Sequence, residues 1–277
     1  MRDSLSRQVH TPGVFRAALA AALLLGLGAG VSGAALCGDD LGGQRVACSC
    51  GDVVVSDTTL RSSDPVVSAR CPLDGLIVRA HPLAETLTLD LGGLSLVGSG
   101  VGHGLRVERG GSEGAVIVGD KAGGSGQLVG FGTGVLVVNS AALRRMQGLE
   151  VRGSRHEGFS IRASGALLVG LSASDNGGDG MRLQLEGGRL LGSEASNNKG
   201  VGIRLKGRGT EVEATVTGNG EHGVLSDGGM IDLGGVVARG NGGHGVVARG
   251  GRQKTVGVVS EGNALEDLRM RGRELGQ

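Results

Sequence analysis

The chain has 277 residues, of which 58 are Gly, three are Phe and none is Trp or Tyr. With so few aromatic rings, binding of sugars or nucleic-acid bases by stacking is largely excluded, and the core must be built from aliphatic side chains. Because 28 Lys and Arg balance 27 Asp and Glu, no net charge draws the chain to nucleic acid or to a membrane surface.

Residues 1–35 are typical of a secretory signal peptide. Basic residues precede a 14-residue apolar run at positions 17–30, and small residues suited to cleavage follow at positions 32–35. The run is shorter than the roughly 20 residues that span a bilayer, although an uncleaved membrane anchor is the alternative. We therefore expect a mature chain with no membrane span, located in the periplasm, at the cell surface or in the medium.

Four cysteines lie close together at the start of the predicted mature chain, at Cys37, Cys48, Cys50 and Cys71. An even, clustered set behind a signal peptide indicates two disulfides, and of the three connectivities we favour Cys37–Cys48 with Cys50–Cys71. A zinc site of four thiolates is the alternative, but the Cys-x-Cys spacing is not the usual pair of pairs. We expect this segment to cap one end of the fold.

The second half of the chain repeats itself about every 22 residues. Asn recurs at intervals of 22, 21, 22 and 22 residues, with Gly four positions later in the first four copies and an apolar residue after that in all five. The glycine column continues upstream, at wider spacings, through Gly158, Gly134 and Gly104. The repeated asparagines are Asn176, Asn198, Asn219, Asn241 and Asn263.

Apolar and polar residues alternate after each glycine of this column. Positions one and three beyond the glycine are mostly apolar, positions two and four are mostly polar, and a second apolar set precedes each Asn. Such short strands cannot bury an apolar face alone, but they do so when successive turns stack in parallel ladders. The pattern predicts an all-β solenoid of about ten or eleven turns.

The repeated Asn-x-x-x-Gly-aliphatic unit resembles the turn motif of right-handed parallel β-helix proteins of the pectate-lyase-like superfold. The segments Cys50-Gly51-Asp52, Cys71-Pro72-Leu73-Asp74-Gly75-Leu76 and Gly130-Phe131-Gly132-Thr133-Gly134 resemble the opening of secreted bacterial β-helix proteins of uncharacterised function. The resemblance covers roughly residues 37–271. It implies one continuous domain, with the N-terminal cap and first turns in residues 36–95 and the β-helix repeats in residues 96–277.

The same resemblance implies that the five repeated asparagines form a ladder at a tight corner. Each side-chain amide would bond to the turn backbone and to the Asn one turn away. Asn also tolerates the left-handed backbone conformation that such a corner requires, and we expect it there. Asp267 stands where the repeat has Gly, so the last turn should depart from the pattern.

We find none of the catalytic signatures of polysaccharide-acting relatives in a matching arrangement. The Asn-Thr-Asp, Asp-Asp and Arg-Ile-Lys motifs of hydrolases, the acidic calcium cluster of lyases and the Asp-Pro-His of epimerases are missing. Gly-His-Gly occurs at His103 and His244, but the repeat itself places Gly there. We therefore expect no cofactor and no metal, and assign no catalytic residue.

One polar column could still carry chemistry. The residue before each repeat glycine reads Asp179, Val201, His222, His244 and Glu266, and we call this the corner column. At about 4.8 Å per turn the two histidines would be neighbours, with Glu266 next, and Asp175 would share a turn with Asp179. A catalytic or weak metal site is one interpretation. Polar residues lining a solvated corner is the other, and we favour it.

Cations recur on the outward side of the strands that follow the glycines. The basic stripe, as we call it, consists of Arg162, Arg182, Arg204, Lys206 and Arg249, and Arg269 and Arg271 extend it. A row of cations on a repeating lattice could hold an anionic polymer, whose charges also repeat. The alternative, which we favour, is that any β-helix needs soluble residues on this surface.

Two functions remain open at this point. The first is a secreted, non-catalytic β-helix that serves as a scaffold or binds a surface, with acidic polysaccharide or the cell envelope as its partner. The second is an enzyme, namely a lyase, hydrolase or epimerase acting on uronate-type polymers. A repeat framework without a recognisable catalytic set favours the first.

Overall fold

The alternating segments form short strands that coil into a parallel β-solenoid of about 10 turns. The computed structural model describes residues 34–119, 124–139 and 142–274, with side chains as far as Met270. The signal peptide expected at residues 1–35 lies almost wholly outside these residues. From Ala34 onward the chain forms one compact unit, and every ladder between its strands is parallel.

Three strand ladders form the three faces of the solenoid. The first face follows the glycine column and contains Leu36–Cys37, Asp52–Val54, Leu76–Arg79, His103–Arg109, Thr133–Val137, Phe159–Ser164, Met181–Glu186, Ile203–Arg208, Val224–Gly228, the first part of Val246–Val256, and Leu268–Glu274.

The other two faces are built from the remaining strands, two of which bend from one face to the next. The second face contains Thr58–Thr59, Leu87–Asp90, Ala115–Val118, Leu143–Gln147, Leu167–Val169, the first parts of Arg189–Ser196 and Thr210–Thr217, Ile231–Gly234, and the last part of Val246–Val256. The third contains Arg70–Cys71, Ser95–Gly98, Gly126–Val129, Leu149–Arg152, Ser172–Ser174, the last parts of Arg189–Ser196 and Thr210–Thr217, Val237–Arg239 and Val259–Glu261.

The core is a set of apolar rows that run along the axis of the solenoid. In one row, Phe159, Met181, Ile203, Val224 and Val246 stack in strict register on the first face, and all five are fully buried. Fully burying one such side chain stabilises a fold by roughly 1.5–3 kcal/mol. Strands of three to eight residues therefore hold together because each turn covers the apolar face of the next.

The asparagine ladder is present and buried. Asn176 Nδ2 donates to Asn198 Oδ1 over 2.8 Å, and the Asn198–Asn219, Asn219–Asn241 and Asn241–Asn263 contacts are each 2.9 Å. The same Oδ1 atoms also accept the backbone N–H of the preceding ladder residue over 3.0–3.1 Å. Each amide thus joins two turns through both its side chain and its partner's backbone.

The left-handed residue of the corner lies one position before the ladder, so the expectation that the ladder asparagines adopt this conformation is wrong. Positive φ angles occur at Asp175 (56°), Asn197 (55°), Gly218 (66°), Gly240 (61°) and Gly262 (66°). The chain must turn before the amide can point along the axis. Gly, Asn and Asp are the residues that tolerate this conformation best.

The ladder ends differently at its two ends. Upstream, the backbone N–H of Ser154 donates to Asn176 Oδ1 over 2.9 Å, and the hydrogen-bonding pattern places Phe131 at the equivalent position one turn earlier. Downstream, Asn263 Nδ2 donates to Asp267 Oδ1 over 2.9 Å. The departure expected at Asp267 thus has a physical basis, because its carboxylate supplies the acceptor that a further Asn would provide.

The N-terminal segment closes one end of the solenoid and contains both expected disulfides, Cys37–Cys48 and Cys50–Cys71. The zinc alternative is therefore wrong. A one-turn helix, Pro65–Ser68, follows the fully buried Asp64, which receives two hydrogen bonds of 2.8 and 2.6 Å from Arg45. The opposite end is open, since Leu268 is 44% exposed whereas its register partner Val246 is fully buried.

Candidate functional site

The two histidines of the corner column stack on neighbouring turns. The ring centroids of His222 and His244 lie 5.2 Å apart, with an angle of 28° between the rings. His222 Nδ1 accepts the backbone N–H of His244 over 3.0 Å. His244 Nδ1 donates to the carbonyl of Glu266 over 3.1 Å, and its Nε2 accepts from Arg269 over 3.1 Å. These bonds fix neutral tautomers and leave neither nitrogen of His244 free.

The pKa of His222 is held below its ordinary value of 6.5 by its surroundings. Partial burial is the main cause, because it disfavours the imidazolium form. Repulsion from a protonated His244 and from Arg249 and Arg204 acts in the same direction, and only Glu221 opposes it. His222 therefore stays neutral, which its role as acceptor for the His244 N–H requires.

Asp179 is held by cations and backbone rather than exposed for chemistry. It is 6% exposed, and Arg204 Nε donates to its Oδ2 over 2.7 Å. The backbone N–H of Val201 donates to its Oδ1 over 3.0 Å, and Arg182 Nε lies 3.5 Å from its Oδ2. Asp179 and His222 thus share one task, since each accepts the N–H of the column residue one turn later.

The other two acidic candidates do not complete a metal-binding set with the histidines. Asp175 is exposed at the left-handed position, and the Glu266 side chain is 67% exposed with its Oε2 3.9 Å from His244 Nδ1. Within the part of the chain that the structure describes, no three His, Cys, Asp or Glu side chains converge as metal ligands. The corner column is a set of turn-to-turn hydrogen bonds.

The basic stripe lies on the outer surface of the first face, and its cations fall into two groups. Arg182 and Arg204 contact Asp179, and Arg182 also lies 3.3 Å from Glu157. The other group consists of Arg162, Lys206 and Arg249, which are exposed and have no carboxylate partner among the described residues.

These cations border a groove of about 490 Å³ on the first face. Its outward-facing lining comes from five consecutive turns and is aliphatic at one end and charged at the other: Leu136, Val138, Ser160, Arg162, Arg182, Gln184, Arg204, Lys206 and Asp227. The volume falls in the range of ligand-binding clefts.

The stripe is interrupted where expected, but not by solvated residues. Leu225 and Val247 point outward from the first face, yet they are 4% and 0% exposed and pack with Val201 into a small apolar cluster outside the solenoid core. Val201 is therefore the packing member of the corner column. This cluster separates Arg249 from the cations of the groove.

Charges on the second and third faces pair across neighbouring turns. Representative contacts are Arg189–Glu211 at 2.7 Å, Lys254–Asp232 at 3.0 Å and Arg239–Glu261 at 2.5 Å. Each pair joins residues 22 positions apart, as the register requires. The first face thus differs from the other two in keeping cations without carboxylate partners.

A second polar cluster, which the sequence analysis missed, lies on the first face nearer the cap. Asp74 Oδ1 accepts from both the backbone N–H of His103 over 2.8 Å and its Nδ1 over 2.9 Å. Arg106 lies 3.9 Å from Asp74 and 2.9 Å from Glu108. The signal was available, because Asp74 and His103 precede Gly75 and Gly104 and so extend the corner column upstream.

Asp74 is an ionised carboxylate that orients the imidazole. The hydrogen bond from His103 Nδ1 is the main cause that lowers the pKa of Asp74 below its ordinary value, and partial burial opposes it. With Nδ1–H donated to Asp74, His103 Nε2 carries the lone pair. Its side chain is 28% exposed, so this nitrogen is available to exchange a proton.

No protein-family model matches the chain, and no curated protein matches it. Among solved structures it is similar to the A-module of Azotobacter vinelandii mannuronan C-5 epimerase AlgE6, with 12% identity, a TM-score of 0.43 and coverage of 79% of this chain and 70% of that one. The AlgE4 A-module from the same organism gives 16%, 0.40, 77% and 69%. ORF18 of Geobacillus virus E2 gives 11%, 0.24, 83% and 53%.

The assignment as a parallel β-helix rests on the ladders described above. Within the described residues, no helix has the length and apolarity needed to cross a membrane.

Proposed function

We propose that the first face binds an anionic polysaccharide and that the protein acts outside the cytoplasm as a non-catalytic scaffold or surface-binding protein. The observation that supports this most directly is the set of cations without carboxylate partners, Arg162, Lys206 and Arg249, on a face whose counterparts elsewhere pair their charges. A carboxylate of the polymer would take the place of the missing partner.

The lattice favours a polymer over a single small anion. An exposed ion pair contributes only about 0.2–1 kcal/mol, so useful affinity needs several contacts at once. Cations on successive turns provide these contacts to a ligand whose charges also repeat. Binding by exposed charges should weaken as salt screens them.

The disulfides support an oxidising location. Structural disulfides persist in secreted, periplasmic and surface proteins and are rare where thiols are kept reduced. This agrees with the signal peptide expected from the sequence, and the two together favour the periplasm, the cell surface or the medium.

The binding test compares two triple variants with equal charge change. Arg162→Gln with Lys206→Gln and Arg249→Gln should lower affinity for a polyuronate at least tenfold, measured by calorimetry in low salt. The matched control replaces three paired cations on the other faces, Arg189, Arg239 and Lys254, with Gln and should change affinity less than twofold. Equal losses would show that net charge alone is responsible, and absence of binding by the unaltered protein would refute the proposal.

A second candidate function, catalysis on a uronate-type polymer, is supported by the Asp74–His103 pair. An imidazole oriented by a carboxylate is the arrangement that general acid–base catalysis uses. Arg106, which lies beside the pair, is in register with Leu136 of the groove. A polymer that followed the first face would therefore pass from the groove to this pair.

Product analysis separates the two functions. The purified protein is incubated with acidic polysaccharides, with and without calcium, and new reducing ends, unsaturated products and sugar configuration are measured. If the pair is catalytic, His103→Gln abolishes turnover whereas the exposed His81→Gln does not. Polymer binding without any product, in the unaltered protein, supports the non-catalytic function.

A further inference from the structure

The outer surface of the first face carries two aliphatic side chains that the fold does not require. Leu136 and Val138 point away from the core at the end of the strand Thr133–Val137, and Val138 is 45% exposed. Their register neighbours on the outer surface are polar, with Arg106 on one side and Ser160 on the other facing Leu136. Two adjacent aliphatic residues in this position expose apolar surface to water, at a free-energy cost.

The contrast with Leu225 and Val247 shows that this is not a general property of the face. Those residues also point outward, but they are buried against Val201 and so stabilise the fold. Leu136 and Val138 instead line the open groove.

Cations lie within two or three turns of this aliphatic pair. Arg162 is on the next turn, and Lys206 follows two turns later. At about 4.8 Å per turn, the groove therefore offers apolar surface and positive charge roughly 5–15 Å apart along its length. A ligand that matches both carries an apolar group within one or two sugar units of a carboxylate.

We propose that the groove recognises an anionic polysaccharide bearing short acyl esters, such as acetyl groups, with the acyl methyl packed on Leu136 and Val138 and the carboxylates held by Arg162 and Lys206. This proposal rests on the proposed function and specifies its ligand. Charge complementarity fixes the anion, and a patch of only two side chains fits a short acyl group better than a long chain.

The test uses one anionic oligosaccharide in two forms, O-acetylated and deacetylated by mild base, with the full chain and with calorimetry as the readout. The acetylated form should bind about fourfold more tightly, which is the effect of burying one methyl group. Leu136→Ser combined with Val138→Ser should remove this preference and leave affinity for the deacetylated form within twofold.

Two control variants assign the effect to its cause. Val237→Ser changes an outward aliphatic residue on the third face and should keep the fourfold preference. Lys206→Gln should weaken both forms by the same factor, because both carry the carboxylates. Circular dichroism verifies that each variant is folded.

The outcomes separate this inference from the proposed function. Equal affinity of the unaltered protein for both forms overturns the acyl preference and leaves polysaccharide binding intact. Failure to bind either form overturns both. Tighter binding of a long-chain fatty acid than of the acetylated oligosaccharide would show that the groove takes a lipid-like anion, and would also overturn the inference.

Discussion

The two halves of the solenoid fill the same corner with different chemistry. In the late turns, residues 153–270, a chain of amide hydrogen bonds runs from Asn176 to Asn263. In the early turns, residues 34–152, the equivalent position holds the fully buried ring of Phe131. A Cβ atom built on Gly98 would lie 2.4 Å from this ring, so the neighbouring turn has Gly to make room.

The difference explains why the repeat is regular in one half and not in the other. Amide bonds of 2.8–2.9 Å are directional, and the late asparagines keep spacings of 21 or 22 residues. An aromatic ring packs without directional bonds, and the glycine spacings on either side of Phe131 are 30 and 24 residues. An apolar plug tolerates turns of unequal length, whereas a ladder does not.

The largest effect should come from removing the plug. Phe131→Ala would leave a cavity between Gly98 and the neighbouring turns, and should lower the free energy of unfolding by about 3–5 kcal/mol. Phe131→Leu, which refills most of the space, should cost clearly less. Urea unfolding monitored by circular dichroism measures both. Equal stability of Phe131→Ala and the unaltered protein would show that the early corner does not depend on its ring.

The next effect should come from the cap. Replacing Cys50 and Cys71 together by Ala opens a loop of 21 residues and should cost about 3 kcal/mol, because the unfolded chain regains conformational freedom. Hydrogen exchange should show the loss concentrated in the early turns. Uniform loss of protection as far as Val246 would mean that the two halves unfold as one unit.

Breaking the ladder at its middle should cost about 2–3 kcal/mol. Asn219→Ala leaves the backbone N–H and Nδ2 of Asn198 without their acceptor in a buried corner. Ser154→Ala is the matched control in the same column, since its buried Oγ has no hydrogen-bond partner among the described residues and its loss should cost less than about 1 kcal/mol. Similar losses in the two variants would refute the structural role of the amide chain.

The smallest effect concerns pH. The unfolded chain binds a proton at His222 more readily than the folded one, because the folded pKa is the lower of the two. Stability should therefore be fully present above about pH 6.5 and fall as the pH decreases through that value and on to the folded pKa. Melting temperatures at pH 7.5, 6.5 and 5.5 test this in the late turns.

Two variants assign this pH dependence. His222→Gln should flatten the profile between pH 7.5 and 5.5, whereas replacement of the exposed His81 with Gln should leave it unchanged. A profile that remains as steep in His222→Gln would assign the acid sensitivity to other groups.

The regular half of the fold was predictable from sequence because its chemistry repeats. The Asn176–Asn263 series and the apolar row from Phe159 to Val246 recur at constant spacing, and both were placed correctly. The role of Phe131 was not predicted, since a residue that occurs once in a column has no period. The left-handed position was misplaced by one residue because Asp175 and Asn197 share it with three glycines.

The candidate site was less predictable, because it depends on which charges meet. The sequence placed His222 beside His244, but not the hydrogen bonds that occupy both nitrogens of His244. It also could not distinguish Arg204, held by Asp179, from Lys206 two residues later. Alternation assigns a side chain to the outside of a strand and says nothing about its neighbours across turns.

The ladder also has a direction. Every amide from Asn176 onward donates toward the following turn, and the last one meets the carboxylate of Asp267. Because all interior junctions are alike, a 21- or 22-residue unit duplicated between Asn198 and Asn219 would meet matching groups on both sides. A unit added beyond Asp267 would meet the carboxylate instead of an amide. The protein can therefore be lengthened by whole modules from within, while Asp267 stops the series at its end.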